Sequence, residues 1–270
     1  SYIITKSVSE SVKTILSGDG GDELFGGYDH YNKVLSNNNF FSKFPITLIK
    51  KISNLYKILP IGFYGRNTLH SLKYGSKKSY LFSNSFFDED SRNKLINIKK
   101  YNSIINENSN SLQDTVNNSL DFKDNMMLFD LFHYLPDDIL HKVDRASMMN
   151  SIEIRNPFLD YKLVEFYYQK VNINLKISNG WQRYVQKLLA KKFLPKKINL
   201  KKQGFSIPIN SWINDINTSD YTKYLPDELF NKKIINKIIK SNQKGLLNGQ
   251  RIFSLIMLAN SFKNLKLNIN

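Results

Sequence analysis

The chain has 270 residues, 41% of them hydrophobic, and 39 Lys and Arg against 23 Asp and Glu, for a formal net charge of +16. That size can bury the core of one domain, or of one and a half. The absence of Cys excludes disulfides, thiolate metal sites and a cysteine nucleophile within these residues and fits a reducing compartment; no run approaches the roughly 18 apolar residues of a bilayer span, and no charged-then-apolar leader is present, so the expected setting is the cytoplasm, away from membranes.

In chain order, a helix-like run from Ser1 leads into a β-branched strand over Val12–Leu16. A glycine-rich run from Ser17 to Tyr28 follows, and Leu24, Phe25, Tyr28, Tyr31 and Leu35 then recur at helical spacing. Residues 32–120 are the least readable. Asn37, Asn38 and Asn39, and the Asn- and Ser-rich stretch 102–118, predict loops or poorly ordered surface. Between them, Ile46, Ile49, Ile52, Leu55, Tyr56 and Leu59 predict a helix ending near Pro60. From Phe122 onward helices dominate: Met126–Leu135 stopped by Pro136, then Ile139–Met149 capped by Asp137 or Asp138. The segment Ile152–Arg155 is too short to assign. Asp160 caps a helix through Leu163, Val164 and Tyr167, and Trp181–Phe193 halts before Pro195. Ile234–Ile239 and Ile252–Phe262 complete the set. Only one strand is predicted, and one strand leaves its backbone donors and acceptors unpaired. Its partners are therefore expected outside this chain, unless the strand itself is spurious.

The run at 17–28 carries the most chemistry. A strand that turns through glycines into a helix can turn backbone N–H groups and the positive helix end towards an anion. Asp19, Asp22 and Glu23 in the same loop would repel a bare phosphate. They make sense beside one if Mg²⁺ lies between, since that ion uses one or two carboxylates plus phosphate oxygens. The plainer reading is a tight turn in which Asp22 caps the helix and Glu23 complements its dipole. Further along, Lys142 and Arg145 share a helix face with Asp144 beside them, which by itself reads as a solvated face opposite Ile139, Val143, Ala146 and Met149. Lys202 follows Pro195 in a loop whose path Gly204 and Phe205–Pro208 restrict. The four His form no metal spacing and no nucleophile set.

Four blocks, in order, resemble the synthetase (C-terminal) domain of the asparagine synthetase family. They are the run 17–28, the stretch from Leu135-Pro136-Asp137-Asp138 to Arg155-Asn156-Pro157-Phe158-Leu159-Asp160, the segment Lys202-Gln203-Gly204-Phe205-Ser206-Ile207-Pro208, and Arg251–Leu258. The resemblance implies an α/β fold, an adenine-nucleotide α-hydrolase-like parallel sheet flanked by helices, of which this chain would keep mainly the helices and one or few strands. It implies that MgATP activates the side-chain carboxylate of aspartate as a β-aspartyl-adenylate, which ammonia derived from glutamine then attacks to give asparagine. Ser17 and Gly18 would lie at the nucleotide, with Gly20 and Gly21 allowing backbone approach. Asp19 and Lys202 would be catalytic, Asp22 a Mg²⁺ ligand, and Asp144 and Arg145 pocket residues. Arg155 and Asp160 fit either a structural or a site role. Two departures stand out: Asp19 where many relatives carry Glu, and Leu200 where relatives often carry Arg. A homodimer is among the assemblies the family suggests.

The family's glutaminase domain, which opens on a cysteine nucleophile, and its Ser-Gly-Gly-x-Asp-Ser pyrophosphate loop do not occur in these residues. The expectation is therefore an N-terminally truncated chain, residues 1–270 being part of one synthetase domain that would not make asparagine by itself. Two other readings stay open. One is a related adenylating amide synthetase acting on another carboxylate, of the β-lactam-forming or peptide-cyclising type. The other is a non-catalytic basic binding module. Against the latter, positive charge is scattered in pairs such as Lys50-Lys51, Lys77-Lys78 and Lys99-Lys100, which reads as solvated faces and not as a nucleic-acid stripe. Arg is scarce, occurring only at 66, 92, 145, 155, 183 and 251, so the few that exist mark places where a planar bidentate donor is wanted.

Overall fold

A computed structural model describes residues 1–83, 85–97, 120–177, 182–195 and 207–265, except for the side chains of 76–78. Its helices are α1 (Tyr2–Ser9), α2 (Gly21–Phe25), α3 (Asp29–Phe41), α4 (Ile46–Asn54), α5 (Arg66–Leu72), α6 (Gly75–Ser83) and α7 (Glu89–Leu95). Then come α8 (Phe122–Phe129), α9 (His141–Met148), α10 (Tyr161–Lys170), α11 (Ile173–Lys176) and α12 (Tyr184–Phe193). The last are α13 (Ile209–Asn214), α14 (Ser219–Thr222), α15 (Lys232–Gln243) and α16 (Gly249–Leu265). The strands are β1 (Thr14–Leu16) and β2 (Glu153–Arg155). The chain forms two compact units, one of residues 1–40 and 114–202, the other of 41–113 and 203–270.

In the first unit β1 and β2 pair in parallel, with Thr14 opposite Glu153, Ile15 opposite Ile154 and Leu16 opposite Arg155. Bonds from Glu153 N–H to the Lys13 carbonyl (2.8 Å) and from Ser17 N–H to the Arg155 carbonyl (2.9 Å) extend the ladder at both ends. The predicted strand is therefore real, shortened by two residues, and it finds a partner inside the chain. The unassigned Ile152–Arg155 segment supplies it. Three residues are too few to show a period of two, so only pairing could reveal that strand.

The predicted break at Pro136 is also corrected. Asp130–Leu140 is a π-helical stretch with Pro136 inside it, joining α8 to α9 without interruption. Within an α-helix proline removes one hydrogen bond and strikes the carbonyl four residues back. The wider π turn, bonded five residues apart, moves that carbonyl away. Asn37–Asn39 lie in α3 and not in a loop, because Tyr31 and Val34 anchor the helix in the core and outweigh the weak propensity of its Asn run. The helical spacing predicted from Leu24 to Leu35 is real but broken between α2 and α3. Gly26 caps α2 at φ +65°, and a Cβ there would meet Ile177 Cγ1 at 2.6 Å and the Lys176 carbonyl at 3.0 Å. The Asn- and Ser-rich stretch 102–118 lies outside the described residues.

Leu24, Phe25, Tyr31, Met126, Met127, Leu135, Ile152 and Tyr167 form the buried interior of this unit. Phe25 meets Phe158 and Tyr167 edge-on, with centroids 5.4 and 4.9 Å apart. Lys176, 1% exposed, places its ammonium 2.8 Å from Asp124 Oδ1 and over the rings of Tyr167 and Tyr168. Asp160 caps α10 as predicted, accepting from Lys162 N–H at 2.9 Å and Leu163 N–H at 3.3 Å.

In the second unit the predicted helices of 46–59, 234–239 and 252–262 appear as α4, α15 and α16, the last two longer than predicted. Leu95, Leu225, Leu229, Phe230, Ile235, Leu255 and Ala259 form one cluster, and Ile209, Ile213, Ile238, Ile252 and Ile256 a second. Arg66 is buried against Asp88, with Nε 2.9 Å from Oδ2.

Candidate functional site

The glycine-rich loop leaves the carboxyl end of β1 and enters α2, which is where open α/β sheets bind ligands. Its glycines divide into two kinds. Gly20 caps α2 at φ +85°, and a Cβ there would lie 2.2 Å from Leu159 Cδ2; at Gly21 a Cβ would meet Phe158 at 3.2 Å. Both residues let the loop pack on the 3₁₀ turn Pro157–Leu159. Gly18 has nothing within 4 Å of a Cβ, so backbone there is open to an approaching group. Ser17 Oγ donates to Asp19 Oδ2 at 2.8 Å, which orients this carboxylate within its own turn.

Asp22 does not cap α2, since the cap is Gly20. Its Oδ1 accepts instead from Arg183 Nε at 2.7 Å and lies 2.5 Å from Arg183 Nη2. No role for Arg183 follows from the sequence; the only signal was the scarcity of Arg. Glu23 is 1% exposed and accepts from the Tyr28 hydroxyl. Burial pushes its carboxyl above the ordinary range, with Asp22 and Asp130 adding to the effect and the Tyr28 bond partly offsetting it. Burial, with Glu23 alongside, likewise raises the Tyr28 phenol. The buried Asp130, from the π-helical stretch, accepts from the Tyr31 hydroxyl at 2.8 Å and sits 3.2 Å from His30 Nε2. The loop's acidic residues thus take separate roles: Glu23 is locked into the interior, while Asp19 and Asp22 remain part-exposed.

The other anticipated residues are placed less closely. Asp144 is exposed on α9 and lines a cleft of ≈ 650 Å³ with Lys13, Thr14, Val143, Ser147 and Glu153. Neither Arg145 nor any of residues 17–23 lines that cleft. The inner face of α9 is Ala146 and Ser147; Met149, expected on the apolar side, is 73% exposed. Arg155 is exposed and pairs with Glu153 Oε1 at 2.8 Å. Lys202, with the segment 196–206, lies outside the described residues.

Among the described residues no group of three or more His, Cys, Asp and Glu could hold a metal ion. Asp19 and Asp22 carry the hard carboxylate oxygens of which Mg²⁺ takes one or two alongside phosphate oxygens, and Oδ1 of Asp22 is here engaged by Arg183. Among the described residues no helix is long and apolar enough to cross a membrane.

The fold is of the adenine-nucleotide α-hydrolase-like α/β class, here predominantly helical with one parallel strand pair. The asparagine synthase family profile matches residues 1–263, and the chain belongs to that family of carbon–nitrogen ligases. It is 32% identical over 219 residues to asparagine synthetase (glutamine-hydrolysing) 1 of Bacillus subtilis, covering 80% of this chain and 34% of the relative. Over 214 residues it is 28% identical to a Mycobacterium tuberculosis H37Rv protein provisionally named asparagine synthetase (glutamine-hydrolysing), covering 78% of this chain and 32% of the relative. A Methanocaldococcus jannaschii protein, also provisionally named asparagine synthetase (glutamine-hydrolysing) 2, is 31% identical over 160 residues, covering 55% of this chain and 28% of the relative. The chain thus spans about a third of the length of the first relatives it matches. No solved structure matches it.

Proposed function

We propose that this chain is part of the synthetase domain of an enzyme that amidates a carboxylate at the expense of ATP, with aspartate as the acid and asparagine as the product. The β-carboxylate attacks the α-phosphate to give an acyl-adenylate and pyrophosphate. Ammonia, released from glutamine by a glutaminase region not among these residues, then displaces AMP. The observation that carries this reading is the Ser17–Asp22 loop at the carboxyl end of β1, in a chain of the asparagine synthase family. Ser17 and Gly18 face the nucleotide, Gly18 because its backbone is open, while Gly20 and Gly21 shape the turn. Asp22, with Asp19 beside it, would hold Mg²⁺, which when bound neutralises the phosphates and the leaving pyrophosphate. Asp19, oriented by Ser17, manages charge and proton at the acyl centre. Lys202 stabilises negative charge developing on the reacting phosphate. Asp144, which lines the cleft beside β1 and β2, and its neighbour Arg145, which does not, are the proposed contacts to the acid.

The test is asparagine formation from aspartate, MgATP and ammonia, using the chain extended upstream to its natural start, with Asp19→Asn as control. Activity that the control loses supports both the reaction and the loop's part in it. A folded extended chain that binds ATP, ignores aspartate and turns over another acid would redirect the proposal to that carboxylate.

A further inference from the structure

The ion pair between Asp22 and Arg183 has three features that distinguish it from an ordinary structural bridge. First, two donors of one guanidinium, Nε at 2.7 Å and Nη2 at 2.5 Å, converge on the same oxygen, Oδ1 of Asp22. Second, space for the pair is made by a glycine. A Cβ on Gly27 would lie 1.7 Å from Asp22 Oδ1 and 2.7 Å from Arg183 Nε, so any side chain there would break it. Gly27 is fixed at that spot by its own N–H, which donates to the Asp22 carbonyl at 2.8 Å. Third, Arg183 holds a left-handed backbone at φ +51°, a region that residues other than glycine seldom occupy. It does so at the residue that caps α12.

Exposure sets this pair between the two other close Lys or Arg bridges described in the same unit: Arg155 and Glu153 lie open at the surface, 64% and 57% exposed. Lys176 and Asp124 have side chains 1% and 13% exposed and make a sealed bond. Arg183 and Asp22 are 37% and 20% exposed, so water and ions reach them. A carboxylate oxygen already carrying two N–H donors cannot also take a divalent cation at the ordinary Mg²⁺–oxygen distance of about 2.0–2.1 Å, because the two positive groups would collide and repel.

We propose that Arg183 is the resident counter-cation of Asp22, and that its guanidinium must leave Oδ1 for a divalent cation to be held there. This inference rests on Asp22 being the metal ligand. In the ligand-free chain the arginine keeps the carboxylate neutralised and the loop in place. A nucleotide phosphate gives the displaced guanidinium a new bidentate partner. Divalent cation and phosphate are thus coupled: each favours the other, and the coupling is reciprocal.

The probe is Mn²⁺ alone, titrated into the full chain at low ionic strength without nucleotide, with free Mn²⁺ read by its paramagnetic resonance signal. Arg183→Asn is the main variant, because Asn accepts a left-handed backbone; Arg183→Lys keeps the charge without the paired donors. Circular dichroism confirms folding. We expect R183N to bind Mn²⁺ roughly five- to tenfold more tightly than the parent, the scale of releasing a part-exposed, doubly bonded ion pair. R183K falls between them, and D22N loses the site. Equal affinity in R183N and the parent, with D22N still losing it, overturns the counter-cation and leaves Asp22 as ligand. Binding in D22N as tight as in the parent overturns the reading of Asp22 itself. Failure of R183N, R183K and the parent alike to bind Mn²⁺ overturns the exchange. If R183N does not fold, R183K decides alone: affinity no tighter than the parent's refutes the proposal.

Discussion

Replacing Gly20 by Ala tests whether the loop's conformation is required by its packing. Two costs add. An L-residue at φ +85° pays the left-handed penalty, about 1–2 kcal/mol. The new Cβ also lies 2.2 Å from Leu159 Cδ2 and 2.9 Å from Cγ, an overlap of the kind that costs about 1–3 kcal/mol in a packed site. Leu159 is half-buried and meets the Cβ with the end of a flexible side chain, which places this second cost at the lower end. The expected loss is about 2–4 kcal/mol, read as a shift of the urea midpoint followed by far-UV circular dichroism. Two companions separate the parts. Gly20→Asn retains the overlap but lowers the backbone penalty. Adding Leu159→Ala to G20A should return the steric share, measured as a coupling energy in a double-mutant cycle. A G20A loss under about 0.5 kcal/mol, the range of an ordinary surface substitution, would refute the packing argument, as would a cycle with no coupling to Leu159.

Three further predictions concern buried charge. Lys176→Ala should destabilise the chain by about 3–5 kcal/mol in denaturant titration, because Asp124 is left unpaired, whereas the K176M/D124L double replacement should lie close to the parent. His70 is 1% exposed among Tyr56, Tyr74 and Phe82, and neither ring nitrogen has a hydrogen-bond partner among the described residues. Burial holds its pKa below the ordinary value, with Asp88 opposing, so its contribution is complete above the unfolded value near 6.5 and declines as pH falls towards the depressed folded value. Stability measured from pH 7 to pH 5 should therefore drop less in His70→Phe than in the parent. Burial disfavours an ionised Asp88, yet bonds from Arg66 and Ser91 outweigh it and hold the carboxyl below its usual range. Its stabilisation is present above the unfolded value near 3.9 and is lost as pH falls through the folded value. Asp88→Asn should accordingly weaken the fold by about 3–5 kcal/mol at neutral pH by stranding Arg66, with the deficit narrowing below about pH 4; thermal melts from pH 7 to pH 3 give the comparison.

What could be read from sequence followed the range of the interaction responsible. Asp160 announced its helix because an N-cap bonds amides two and three residues ahead. The helices α10, α15 and α16 announced themselves because their apolar residues repeat within a single element. The run 17–28 could be recognised because its strand, turn and helix are contiguous, and its spelling carried the family with it. Pro136 misled because the rule that stops an α-helix does not hold in a π-helical turn, and nothing local reveals that wider winding.

The sequence by itself determined the strongly periodic helices, the glycine-rich loop that ends β1, and membership of the asparagine synthase family. Only the tertiary structure decided how that loop is held. Thr14 meets Glu153 across 139 positions, and Arg183 reaches Asp22 across 161. Gly20 is excused a side chain by Leu159, and Gly27 by the Asp22–Arg183 pair itself. Such partners leave no periodic trace near either residue, because what pairs them is the closing of a long loop, whose entropic cost core packing elsewhere has to offset.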